Sequence, residues 1–296
     1  MKIHTIDLQF RGKPQSIASF LVDSGGELAL IETGPTSTID RLTAGIGDLG
    51  FDPDDVGKVL VTHIHLDHAG AAGWWGAKGA QVFVHHRGAR HLVDPSKLIE
   101  GARMVYGDQL ESLWGEVKPI PDAQVTALGD GDKIEVGETE FSAWDTPGHA
   151  RHHHVFVAEG VGFAGDIAGV RLPGQTYISP TTAPSQFEPE PYLKSMRRVA
   201  DADLERLYLT HFGEITDISD HFARYEEIIL EVADLIQAKR KSGATRDEMI
   251  DAFVAFNTER AVKEGVDAAT LQEYENANPS DMCVDGIDLY WRRQEK

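Results

Sequence analysis

Three histidines and an aspartate, His63, His65, Asp67 and His68, fall within six positions, directly after the apolar run VGKVLVT. None of these residue types favours a core, so their crowding at the end of a strand-like run points to a bound ion. Further donors of the same kind close other apolar runs. LYLTH ends in His211, FSAWDTPGH leads to His149, and VGFAGD ends in Asp166. Five imidazoles and two carboxylates, without a usable thiolate, suit zinc, iron or manganese. Seven donors exceed what one tetrahedral ion needs, and a pair of divalent ions bridged by a carboxylate and a water accounts better for the number. His63 and His65, two apart in extended chain, point the same way and can grip one ion. Asp67 and His68 then begin a helix, with the small run Ala69–Ala72 allowing that helix start to sit close to the site. His152, His153 and His154 adjoin His149 and take supporting or structural roles.

The elements that must position these side chains alternate between strand and helix. SIASFLVD and GELALIETG read as strands joined by the Ser24-Gly25-Gly26 turn. A helix follows from the Thr36/Ser37 region to about Leu49, with Gly50 as its stop. VGKVLVTH suits a strand buried on both faces. AGAAGWWGAKGA reads as a helix start and AQVFVHH as a strand. Residues 88–115 read as helical, with Leu92, Leu98, Met104, Leu110 and Trp114 as core candidates. AQVTALG, DKIEVG, TEFSAWD, HHVFVAEG and VGFAGD are short strands, EPYLKSMRRVADA a helix, and LERLYLTH a last strand. Beyond Asp217, Phe222, Tyr225, Ile228, Ile229, Val232, Leu235 and Ile236 recur at helical spacing. Thr245 with Glu248 forms a capping-box pattern that opens a further helix. The organisation is an α/β body, residues 1–216, with a helical extension, residues 217–296, packed on it.

The chain has 296 residues, 41% hydrophobic, which is enough for a large core. Its net charge of −20 argues against nucleic acid and anionic membranes as partners. Cys283 is the single cysteine, so no intrachain disulfide can form and a reducing compartment is expected. MKIHTIDLQFRGK lacks an apolar signal core, and no apolar run spans a bilayer. The expectation is a soluble, cytoplasmic protein.

H-x-H-x-D-H, followed in order by TPGH, GD and a final TH, resembles the metallo-β-lactamase superfamily over about residues 16–213, with its glyoxalase II-like branch the nearest in kind. The resemblance implies an α/β (α+β) fold: a four-layer αββα sandwich, here with a C-terminal helical extension, holding two metal ions at one edge. Carried over by position, His63, His65 and His149 hold the first metal, Asp67, His68 and His211 the second, and Asp166 bridges. Two positions depart from the pattern. Glu32, in IETGP, stands where the family has an aspartate that steadies the site. Gly169 stands where the lactonase branch has a tyrosine, and Tyr177 lies too far along to be equated with it.

The resemblance implies a metallo-hydrolase in which hydroxide between two divalent ions, zinc in first place with iron or manganese as alternatives, cleaves a small ester, lactone or thioester. Asp67 is the candidate to hold the nucleophile or take its proton; Tyr106, His152 and Tyr177 are candidates for the leaving-group acid. Two other readings stay open: a mononuclear iron dioxygenase of a thiol or persulfide, and a metal-holding sensor with little catalysis. Nucleases rank last because of the negative charge. The expected partner is a small-molecule substrate, with a homodimer possible. Residues 88–118 and the loop 170–186 are expected to shape the pocket, the first helix of the extension to help wall it, and no basic cluster resembles the glutathione-binding tail of glyoxalase II.

Overall fold

Alternate residues of the early strands face two different cores, and this alternation builds the layers. In the computed structural model, which describes residues 1–295, Phe20, Val22, Ala29 and Ile31 pack into a central cluster, while Leu21, Leu28 and Leu30 pack into an outer one. Successive side chains of a strand point to opposite faces, so a run apolar at every position must lie between two layers.

The first sheet contains β1 (Lys2–Asp7), β2 (Ala18–Ser24), β3 (Glu27–Ile31), β4 (Val56–Leu60), β5 (Gln81–His85) and β6 (Val125–Leu128), in that spatial order. From β3 to β6 its pairings are parallel, so helices must cross over. These are α1 (Ile39–Asp48), α2 (Leu66–Ala69), α3 (Ala72–Ala77), α4 (His86–Val93), α5 (Ser96–Tyr106) and α6 (Leu110–Trp114). Leu42, Ile46, Trp75, Leu92 and Trp114 carry their contacts to the sheet.

The second sheet contains β7 (Lys133–Val136), β8 (Thr139–Asp145), β9 (His154–Ala158), β10 (Val161–Phe163), β11 (Arg206–Leu209) and β12 (Gly213–Ile215). Phe141, Phe156, Phe163 and Tyr208 face Phe20 and Ile31 of the first sheet across the central core. Its outer face takes α7 (Pro189–Ala200), α8 (Ile218–Lys241), α9 (Arg246–Lys263) and α11 (Ser280–Gln294) through Tyr192, Met196, Phe222, Ile228, Phe253 and Ile287. Each such side chain removed from water contributes roughly 1.5–3 kcal/mol before the entropy of ordering. A short α10 (Ala268–Ala277) inserts Tyr274 beside Tyr177. The result is the four-layer αββα sandwich expected from the motifs.

The capping box of α9 is formed: Thr245 N–H donates to Glu248 Oε2 at 2.7 Å, and Glu248 N–H to Thr245 Oγ1 at 3.3 Å. β1 and β12 are strands the sequence reading did not identify; both sit at sheet edges, where one polar face leaves little apolar signal. Met104 is 82% exposed rather than buried, and Leu98 is half-buried, because α5 lies on the surface with none of its residues fully enclosed. Among the described residues, no helix is long and apolar enough to cross a membrane.

Candidate metal centre

Four of the donors follow directly on the end of a strand, while His65 is the N-cap of α2 and Asp67 and His68 lie in its first turn. His63 comes three residues after β4, Asp166 three after β10, His211 two after β11, and His149 four after β8. Two backbone hydrogen bonds join the sheets at this edge: His154 N–H to Thr62 O, 2.7 Å, and Ala18 N–H to Thr210 O, 2.8 Å. The glycine before Asp166 is required there. Gly165 has φ +51°, and a Cβ would lie 2.5 Å from Thr62 Oγ1 and 2.6 Å from His153 Nε2.

All seven predicted residues converge. The ring nitrogens of His63, His65 and His149 form one group, and the donors of Asp67, His68 and His211 a second. His65 Nδ1 is 2.9 Å from both His63 Nε2 and His149 Nε2. In the second group His68 Nε2 is 3.6 Å from Asp67 Oδ2, and His211 Nε2 is 3.4 Å from it. Asp166 stands between the groups: Oδ2 is 3.2 Å from His149 Nε2, and Oδ1 is 3.2 Å from His68 Nε2 and 3.4 Å from His211 Nε2.

The hydrogen bonds behind the rings decide which nitrogens carry lone pairs. His149 Nδ1 donates to Thr181 O at 3.1 Å, His211 Nδ1 to Ser16 O at 2.7 Å, and His68 Nδ1 to Glu32 Oε1 at 3.0 Å. Thr62 gives its hydroxyl proton to Glu32 at 2.5 Å, so its oxygen accepts from His63 Nδ1 at 3.1 Å. In all four rings Nε2 is therefore the bare nitrogen, and each faces the centre. Outer partners of this kind fix the tautomer of metal-binding histidines. His68 Nε2 and Asp166 Oδ1, both buried, have no hydrogen-bond partner, because they aim at a common point rather than at each other. Converging lone pairs and an orphaned carboxylate oxygen in a buried site need a cation, and the donor set fits divalent metal.

The electrostatics agree. Burial, joined by the neighbouring imidazoles, pushes His63 well down and His65 down to about 3, so both stay neutral as ligands must. Burial opposes the charge on Asp67, but His68 and His211 outweigh it and hold the carboxyl at about 2. Burial likewise opposes a cationic His68, yet Asp166, Asp67 and Glu32 prevail and raise it well above its usual value, so an ion at Nε2 takes the place of a proton there. The centre attracts positive charge.

The other histidines divide. His153 Nδ1 bonds Thr146 Oγ1 at 2.9 Å, and its Nε2 accepts the Asp166 N–H at 3.1 Å, which orients that aspartate. His152 lines the pocket with its Nδ1 unpartnered. His154 lies under the site against His85, their centroids 4.5 Å apart. His85, Asp145 and His154 form a third cluster with metal-like spacing. That cluster is a poor metal site, because His85 Nδ1 accepts the Arg87 N–H at 3.0 Å, leaving its proton on Nε2, which donates to Asp145 Oδ1 at 3.1 Å.

The centre lies at the base of a cavity of about 950 Å³. Met104, Tyr106 and Trp114 line it as expected, but of the loop 170–186 only the part from Thr181 to Gln186 reaches it. Tyr177 does not: it is fully buried, edge-on to Tyr274 at 4.9 Å, and drops out as a catalytic candidate. The first helix of the extension is not a wall either. That part falls to the last two helices, through Asn276, Asn278, Met282 and Leu289. α8 instead braces the site from behind. At Gly169, φ +70°, a Cβ would lie 2.8 Å from the Tyr225 ring, so that ring takes the space a side chain would need. The Tyr225 hydroxyl accepts the Thr181 N–H at 3.0 Å and sits 3.0 Å from the Tyr192 hydroxyl, which donates to Asp166 O at 2.6 Å.

An αββα sandwich with histidines and aspartates converging at one edge defines a class of metal-binding proteins. The chain belongs to the metallo-beta-lactamase superfamily, whose family model matches residues 12–211. It is 27% identical over 205 residues to a metallo-beta-lactamase fold-containing protein of Sulfurisphaera tokodaii, covering 68% of this chain and 74% of that one. It is 24% identical over 255 residues to the atrochrysone carboxyl ACP thioesterase of Aspergillus fumigatus, covering 81% and 68%. Among solved structures, a metallo-beta-lactamase family protein of Thermus thermophilus superposes with a TM-score of 0.72 at 23% identity, over 99% of this chain and 94% of that one.

Proposed function

We propose that the protein is a dinuclear metallo-hydrolase of a small acyl thioester or related ester. The observation that carries this is the position of Asp166, with one carboxylate oxygen facing each group of donors. His63, His65 and His149 would hold one ion, Asp67, His68 and His211 the other, with Asp166 shared between them. When bound, two divalent ions supply a Lewis acid for a carbonyl oxygen and lower the pKa of a coordinated water toward neutrality, zinc being the first choice for this donor set.

The chain's own groups do the rest. Asp67, held ionised and partly exposed to the cavity, orients the nucleophile by accepting its proton in a hydrogen bond. Tyr106 lines the same cavity, and burial with Asp67 nearby raises its phenol, which therefore stays protonated and has an O–H to donate. Its present acceptor, Met282 Sδ at 3.6 Å, is weak and easily replaced by an atom of substrate. The aromatic wall of Phe10, Tyr106 and Trp114 suits an apolar acyl group: Phe10 and Trp114 stack at 5.0 Å, and Tyr106 meets Trp114 edge-on at 5.2 Å. The thioesterase named among the relatives supports a thioester over a β-lactam.

Elemental analysis of metal-replete protein together with a screen of acyl thioester, lactone, phosphodiester and β-lactam substrates tests the reading. Close to two ions per chain and turnover of a thioester or ester are expected. One ion per chain regardless of the metal supplied, or oxygen uptake with a thiol in place of hydrolysis, would overturn it.

A further inference from the structure

A chain with 48 acidic and 28 basic residues places its cations sparingly, yet the cavity over the metal centre is lined by five: Arg11, Arg87, Arg90, Lys97 and Arg151. Its only acidic lining residues are Asp67 and Asp166, both committed to the centre. The local sign is thus opposite to that of the molecule.

The arrangement is not one of neutralised pairs. Arg151 is bound through Nε to Glu188 Oε1 at 2.9 Å, but among the described residues Arg87, Arg90 and Lys97 have no carboxylate within ion-pairing reach. They are exposed, while five of the seven metal donors are buried and His65 and Asp67 are half-buried, which puts the cations at the mouth and the centre at the base. Arg87 and Arg90 stand one turn apart on α4, and both line the same cavity as Lys97 and Arg151. Arg87 Nη1 donates to Arg151 O at 3.5 Å, and Arg90 Nε to His91 Nε2 at 3.1 Å. Beside burial, Arg90 and Lys97 both press the His91 pKa downward. Two acids are near Lys97 in sequence: Asp94 is turned into the N-terminus of α5, where it accepts from Ser96 N–H at 3.1 Å, and Glu100, three residues on in the same helix, makes no ion pair with Lys97. Like charges held close without partners repel one another, a cost that an incoming anion removes.

Resting on the thioester reading, we propose that Arg87, Arg90 and Lys97, flanked by Arg151, form an oxyanion subsite at the cavity mouth that takes the phosphate-bearing thiol half of the substrate, while the acyl half reaches the metal centre along the aromatic wall. Several unpaired cations match a phosphate, with its higher charge and multiple acceptors, better than a single carboxylate. A polynucleotide would meet the strongly acidic remainder of the surface, whereas a small anion meets only the mouth.

The test is binding rather than turnover, by calorimetry on the metal-loaded and the chelator-treated protein. The probes are three thiols: coenzyme A, glutathione and pantetheine. They carry phosphates, carboxylates and no anionic group. Coenzyme A is expected to bind at least tenfold more tightly than pantetheine at low salt, with the preference shrinking several-fold at 0.5 M salt as screening sets in. Arg90→Gln and Lys97→Gln, both at exposed positions, are each expected to weaken coenzyme A by severalfold to tenfold and to leave pantetheine unchanged. Glutathione binding more tightly than coenzyme A would assign the subsite to a carboxylate-bearing thiol and overturn the phosphate claim. Equal affinity for coenzyme A and pantetheine, insensitive to salt and to both substitutions, would overturn the subsite altogether. Tight coenzyme A binding without hydrolysis of any acyl thioester would leave the subsite standing and remove the thioesterase reading.

Discussion

Glu32 Oε1 accepts the Nδ1 proton of His68 at 3.0 Å from a buried backbone position with φ +62°. A left-handed conformation at a residue with a long side chain costs of order 1–3 kcal/mol and persists only where its surroundings impose it. Here they do: Thr62 donates both its N–H, at 3.2 Å, and its hydroxyl to the same carboxylate. The longer side chain thus still reaches the ring that a shorter aspartate steadies elsewhere in the family. Glu32→Ala should lower metal affinity at the Asp67–His68–His211 group by roughly 10–100-fold, with the other group less affected. Competitive metal titration against a chelator measures this, and an unchanged affinity would show that His68 needs no such partner.

His149 and His152 lie three residues apart, and only His149 has its bare nitrogen on the centre. His149→Ala should lose most of the ion at the His63–His65–His149 group, whereas His152→Ala should keep it within about the same 10–100-fold range. Metal content of the two purified variants decides the matter. The reverse pattern would reverse the assignment.

Tyr225→Phe removes the acceptor of the buried Thr181 N–H while keeping the ring that fills the space beside Gly169. A buried donor left without a partner costs about 1–3 kcal/mol. Urea denaturation of the variant should show a loss of that size with metal still bound. A change below about 0.5 kcal/mol would mean that α8 braces the site by packing alone.

His221 is fully buried near the start of α8; its Nε2 donates to Ala168 O at 2.8 Å. Burial, with Arg171 and Arg224 adding to it and the Ala168 bond and Asp217 opposing, lowers its pKa to about 4. Because the folded value lies below the unfolded one, the unfolded chain binds the extra proton. Stability is full above about pH 6.5 and falls as pH drops toward 4, by up to about 1.4 kcal/mol per pH unit for this one group. In chelator-treated protein, His221→Gln should therefore show a shallower acid slope than the native chain. Parallel slopes would rule His221 out as a source of acid sensitivity.

The sequence by itself determined the donors and their order along the chain. His63, His65, Asp67, His68, His149, Asp166 and His211 were legible because each follows an apolar run, and strand ends on one edge of a sandwich must converge. The two-core layering was legible for a similar reason: runs such as VGKVLV, apolar on both faces, have to be covered twice. Other features were decided only in three dimensions. Met104, expected in the core, is exposed at the cavity, and Tyr177, in a loop expected to shape the cavity, lies in the core, since a local pattern does not say which face a short helix or a loop turns inward. The brace from Tyr225 and the wall from α10 and α11 depend on how four helices stack on the second sheet, which their amphipathic spacing leaves open. The net charge of −20 said nothing about the mouth of the cavity. Charge sums over a sequence are blind to position, and a field inside a cleft is set by the few groups that folding brings within a Debye length of one another.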